Sequence, residues 1–316
     1  MPRRFYTNHV PALVVVLVDI YAFIPQTPIL DAMKVSFKEL MLDFFKIKQS
    51  LLLLWTGVFA FLAGSGPGVD VLAFTLTTLS ILLTVIGTTG FNMVLDADID
   101  AKMFRTSKRP VPAGKLSKSE GALLSSAVLL AGLALALMVN VWVFVAGLLG
   151  FLIDILLYTY LLKRRSPWST VFGGFAGGMP ALGGWAGATG SFGVPGALFM
   201  LLVALWSNVH IWTLATYYVE DYRRAGVPML PAAKGERAGV LGSLVVLVLV
   251  AVIAVATWAV GVLSPIGLVA SLALLAVAGF YLVKGLRSGE YGRWAYKAFK
   301  FVNMFMAVFF LLLVVK

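Results

Sequence analysis

Asn92, Asp96 and Asp100 are spaced four residues apart, so on one helix they stack along a single face and point three oxygen-bearing side chains at a common volume. Two carboxylates and a carboxamide suit a hard divalent cation, and Mg²⁺ in particular takes one or two carboxylates while keeping water and phosphate oxygens as its other ligands. Asp98, lying between them, points elsewhere. A second acidic pair, Glu220 and Asp221, occurs farther along, and both clusters run into Arg-rich stretches. Two such sites facing one cavity would hold a metal-bound diphosphate, with Arg105, Arg109, Lys163 and Arg164 neutralising the remaining oxygens. The plainer alternative is that the acids only form ion pairs with the basic loops beside them.

These residues need elements that hold them, and composition says which kind. The chain has 316 residues, 60% hydrophobic and 12% charged, with no cysteine and a mean hydropathy of +0.96. A soluble domain carries about 25% charged residues, so a soluble globular protein is excluded, as are a disulfide scaffold and a thiolate zinc site. Apolar runs at 49–65, 71–94, 119–139, 141–162, 168–187, 197–219, 238–260, 262–283 and 299–315 are long enough to cross a bilayer. The expected fold is all-α, a polytopic bundle of about nine transmembrane helices in one domain over 44–316, preceded by an apolar extension over 1–43. Within that extension, Asp19, Pro11, Pro25 and Pro28 interrupt residues 10–30, which read as an interfacial or re-entrant element or a tenth span.

The net charge of +11 is explained by position and not by nucleic acid. Lys and Arg crowd the connections after the second, fourth, sixth and eighth spans and are missing from the loops at 66–70, 187–196 and 261–265. The positive-inside rule makes the basic loops cytoplasmic and the C-terminus external in a multi-pass cell-membrane protein.

Inside the spans, polar residues are few. His210 is one of two histidines. With Tyr217 and Asp221 it shares a helix face at spacings of seven and four residues, and it lies roughly 16 Å from Asp221 at about 1.5 Å per residue. A polar group at that depth either serves a binding site or hydrogen-bonds to another helix. Asp154, one turn before Tyr158, is a second intramembrane group, either lining a cavity or paired with a neighbouring helix. Phe91, Tyr158 and Tyr217 either pack ordinarily between helices or offer aromatic faces to a cation.

The run Asn92-x3-Asp96-x3-Asp100-x2-Met103-x-Arg105-Thr106-x2-Arg109-Pro110 resembles the first motif of the UbiA superfamily of membrane prenyltransferases, in its haem-farnesylating branch. Two further stretches are similar to that branch: Tyr158-Thr159-x3-Lys163-Arg164-Arg165-Ser166-Pro167-Trp168, and His210-Ile211-Trp212-x8-Asp221-Tyr222 continuing to Pro231. The resemblance covers about residues 44–316. It implies transfer of a farnesyl or geranylgeranyl group from its diphosphate to a vinyl group of haem B, with water added, giving haem O and pyrophosphate, the product feeding a haem A synthase. It further implies Mg²⁺ on Asn92, Asp96, Asp100, Glu220 and Asp221, catalysis by the first three with Asp221, diphosphate contacts from Arg105, Arg109, Lys163, Arg164, Lys46 and Lys48, and acceptor contacts from His210 and Trp212. The chain departs from the family at Lys46-Ile47-Lys48, where Lys-Pro-Arg is usual, and at Tyr218-Val219-Glu220, where a basic pair and an Asp are usual. The competing readings are prenylation of an aromatic acid or glycerol phosphate lipid, and, from another class, a secondary transporter.

Overall fold

The computed structural model describes residues 35–315. The expectation for residues 10–30 lies outside the described residues. Nine long helices run through them: α1 (Ile47–Gly64), α2 (Val71–Leu95), α3 (Lys118–Val139), α4 (Val141–Leu162), α5 (Ser169–Thr189), α6 (Gly193–Tyr217), α7 (Glu236–Ala259), α8 (Pro265–Ser288) and α9 (Tyr291–Leu312). The termini follow local chemistry. Asp70 accepts from Ala73 N at 3.0 Å, Ser117 and Glu120 form a capping box, and Asn140 Oδ1 accepts from Trp142 N and Val143 N, each at 3.0 Å. Each satisfies amide groups that a helix start leaves open.

All of these except α5 are apolar and long enough to span a membrane. The chain is therefore an integral, multi-pass membrane protein. α5 is Gly-rich because it is wedged centrally. A Cβ on Gly178 would lie 2.3 Å from the Met200 carbonyl of α6, and one on Gly184 would lie 2.0 Å from the Gly57 carbonyl of α1, so bare backbone is what permits these close crossings.

Around α6, Phe199, Trp206, Phe305, Phe309 and Phe310 are buried together with side chains of α7 and α8. Trp206 Nε1 donates to Val302 O of α9 at 2.8 Å. On the far side, Phe44, Phe45, Met93 and Val94 are buried with Val35 and Leu40, two residues that precede the expected domain start at 44. α9 begins eight residues earlier than the apolar run suggested. Its first turns are amphipathic: Trp294 and Ala298 are buried while Arg293 and Lys300 are exposed. Lys284 of α8 lies over the Trp294 ring of α9, 4.2 Å from its centroid, which ties the two helices at their polar ends.

Candidate active site

The polar end forms where α2 stops. Asp96 (φ −89°, ψ 1°) leaves the helical conformation and Ala97–Asp100 makes one further turn. Asn92, Asp96 and Asp100 line one cavity of about 420 Å³. Asp98 faces away, and Arg164 grips both its oxygens at 2.6 and 2.7 Å, which holds its carboxyl down at about 2.

Asp96 and Asp100 each meet a base from another segment. Lys163 Nζ donates to Asp96 Oδ2, and Arg109 Nη1 donates to Asp100 Oδ2 at 2.6 Å. Asn92 Nδ2 donates to Thr159 Oγ1 at 2.9 Å, which leaves its carbonyl oxygen for another partner. Asp96 Oδ1 is buried with no hydrogen-bond partner, and such an atom is costly unless something positive meets it. No three His, Cys, Asp or Glu side chains converge among the described residues. The protein thus offers two carboxylates and one carboxamide and no closed cage, a set that fits Mg²⁺ completed by water and phosphate oxygens.

How Lys163 reaches Asp96 is a matter of helix type. Residues Ile153–Leu162 form a π-helix, and its last turn includes Lys163, whose N donates to Tyr158 O at 2.7 Å. Nine residues of α-helix make two and a half turns at about 3.6 per turn and would set Asp154 and Lys163 on opposite faces. With i→i+5 bonding, at about 4.4 per turn, nine residues make nearly two whole turns. Asp154, Tyr158 and Lys163 accordingly all line the cavity. Gly173 leaves room for the Tyr158 ring, since a Cβ there would lie 2.7 Å from it.

Lys46 enters the cavity from the start of α1. It is the one non-glycine residue with positive φ among the described residues (φ 47°, ψ 48°), a strained conformation of the kind that collects at functional sites. Enclosure, followed by the positive charges of Arg109 and Lys163, pulls its ammonium down to about 7. The cavity thus carries Lys46, Arg105, Arg109 and Lys163 against Asp96, Asp100 and Asp154.

From this end the cavity continues between α1, α2, α4, α5 and α6, walled by Leu52, Leu53, Val85, Phe151, Pro180 and Leu214. On α2 its lining extends from Asp96 back to Thr84, about 18 Å of helix at about 1.5 Å per residue. His210 also lines it, with the Trp206 and Phe299 rings each 4.8 Å from its own.

Several sequence expectations meet other surroundings. Glu220 is exposed and binds Arg223 at 2.6 Å. Asp221 has Arg224 at 3.8 Å. The chain bends at Tyr218 (φ −103°, ψ 33°), so Asp221 leaves the face of His210, and neither acid lines the cavity, whereas the neighbouring Tyr222 does. Arg164 is spent on Asp98, and Lys48 is exposed outside the cavity. Trp212 packs edge-on to Trp168 at 6.1 Å, Tyr217 stacks on Tyr296 at 4.5 Å, and Phe91 meets Phe151 at 5.5 Å. Thr159 and Asn303, the partner of His210, escape sequence reasoning because a lone hydroxyl or amide in an apolar run shows no target, and Tyr222 escapes it because the charged residues on both sides draw the attention.

The sequence profile of the UbiA prenyltransferase family matches residues 53–309. A protoheme IX farnesyltransferase from Thermofilum pendens is 61% identical over 279 residues, which is 88% of this chain and 98% of that protein. Two solved structures share the fold. A digeranylgeranylglyceryl phosphate synthase superposes with a TM-score of 0.69 at 20% identity, covering 88% of this chain and 98% of that one. A UbiA homolog from Archaeoglobus fulgidus bound to GPP and Mg²⁺ superposes with a TM-score of 0.64 at 16% identity, covering 84% and 98%.

Proposed function

The chain belongs to the UbiA prenyltransferase family, and on that premise we propose that it transfers a farnesyl group from its diphosphate to a vinyl group of haem B. Water adds to the resulting cation, giving haem O and pyrophosphate. The observation that carries the reading is the single cavity joining an unpartnered Asp96 oxygen and four basic side chains to His210. Its haem specificity draws on the similarity to the protoheme IX farnesyltransferase.

The geometry supports the following division of labour. Asn92, Asp96 and Asp100 would hold Mg²⁺, which supplies Lewis-acid stabilisation of the departing diphosphate. Arg105, Arg109, Lys163 and Lys46 place preorganised positive charge where negative charge develops as the C–O bond ionises. The apolar walls between α2, α4 and α5 receive the isoprenoid tail and keep bulk water from the allylic cation. His210 contacts the acceptor. The basic connections after α2, α4 and α6 all contribute to this end of the cavity, which supports a cytoplasmic active-site face with the C-terminus outside. An enzyme of the haem A synthase type would consume the product.

The test uses the protein in lipid nanodiscs with Mg²⁺ and haem B, offered farnesyl or geranylgeranyl diphosphate, with products read by mass spectrometry. A haem heavier by one prenyl group plus one water is the expected product and identifies the donor. Unmodified haem together with a prenylated aromatic acid or glycerol phosphate would overturn the acceptor and keep the reaction class.

A further inference from the structure

His210 Nδ1 lies 2.9 Å from Asn303 Oδ1 on α9. The amide of Asn303 is oriented by its own helix, because Nδ2 donates to Phe299 O at 2.7 Å. The atom facing the imidazole is therefore the oxygen, which only accepts, so the proton sits on Nδ1. No hydrogen bond from Nε2 is formed among the described residues, and the side chain lines the cavity. The ring cannot readily turn to exchange its nitrogens. It packs against the Trp206 and Phe299 rings, each 4.8 Å away, and Trp206 is itself pinned through Nε1 to Val302 O.

We propose that Asn303 is a positioning residue for the acceptor. It fixes His210 in the Nδ1–H tautomer, so that the neutral ring presents its Nε2 lone pair to the cavity as an axial ligand for the iron of the haem substrate. A ligating imidazole usually donates its other N–H to an oxygen, which sets the tautomer and ring angle and raises ligand basicity; here Asn303 supplies that oxygen from a helix that does not line the cavity. The proposal rests on haem being the acceptor. It adds that His210 works through the iron, and it names the residue on which this depends.

The experiment titrates ferric haem into the nanodisc protein and records affinity, then records the ferrous iron–histidine stretch by resonance Raman spectroscopy. Asn303→Leu should weaken haem binding by about 10- to 100-fold and lower the stretch, with farnesyl diphosphate binding unchanged. Asn303→Asp, whose carboxylate accepts more strongly, should keep haem binding and raise the stretch. Should Asn303→Leu fail to fold, the Asn303→Asp shift decides alone. Haem spectra identical in the wild type and in His210→Ala, or a stretch unmoved by Asn303→Asp, would overturn the proposal even while haem O is formed. Absence of haem O from the wild type would instead overturn the acceptor assignment.

Discussion

Lys163 on the π-helical end of α4 holds one oxygen of Asp96 at the end of α2, while the other oxygen of Asp96 is buried without a partner. The carboxylate is 2% exposed and the lysine side chain 15% exposed, so the pair is structural as well as chemical. Asp96→Ala should abolish turnover, and it should also destabilise the fold by about 3 kcal/mol or more, because an unpaired ammonium stays buried. Adding Lys163→Met to Asp96→Ala should restore thermal stability without activity. Melting curves in detergent check this; an Asp96→Ala melt equal to the wild type would show that the pair carries no structural weight.

Lys46 gives the site a proton linkage. With its ammonium pulled down to about 7, the group is largely neutral at pH 8, and a bound diphosphate favours the charged form. Binding should therefore take up close to one proton at pH 8, and affinity should fall as pH rises above 7. Without ligand the sign for folding is the reverse of an ion pair. Between about 7 and the unfolded value of about 10.4 the unfolded chain binds more protons, so this residue's contribution to stability rises with pH. Calorimetry of diphosphate binding in buffers of different ionisation enthalpy measures the uptake, which Lys46→Arg should remove because a guanidinium stays charged. No proton uptake in the wild type would contradict the assignment.

Arg109 and Arg164 looked equivalent as diphosphate ligands, yet only Arg109 lines the cavity. The Arg164–Asp98 pair is 42% and 50% exposed, and such a pair contributes about 0–1 kcal/mol. Arg164→Ala should leave the KM for farnesyl diphosphate within about threefold and lower the melting point slightly, whereas Arg109→Ala should raise KM at least tenfold. Equal KM changes in the two variants would return Arg164 to the diphosphate site.

Much of this was legible in the sequence. The span from Val71 to Leu95 ends where the apolar run gives way to Asp96, and capping residues such as Asp70 and Ser117 mark helix starts. α9 was placed late because Arg293, Lys297 and Lys300 interrupt its apolar run, although one face of those turns is buried. Helix type was illegible. Residues 141–162 form one continuous apolar stretch that fits α periodicity as well as any other, so nothing in it announces the wider turn that brings Lys163 onto the face of Asp154. The departure of Asp221 from the face of His210 was hidden too, since spacings of seven and four residues assume an unbroken helix and the chain bends at Tyr218.

Thr159 illustrates what spacing cannot show, and it carries the last prediction. Its hydroxyl accepts from Asn92 Nδ2 at 2.9 Å and is 2% exposed, so it turns the carbonyl end of that amide toward the place where a cation would sit. Thr159→Val keeps the shape and removes one acceptor of the Asn92 amide, loosening its orientation. Partners that orient a metal ligand are typically worth 10- to 100-fold in affinity or activity, so the Mg²⁺ concentration for half-maximal activity should rise at least tenfold in Thr159→Val and return toward the wild-type value in Thr159→Ser. A Mg²⁺ titration of both variants measures it. A curve unchanged in Thr159→Val would mean that Asn92 does not ligate the metal or that α2 alone holds its side chain in place.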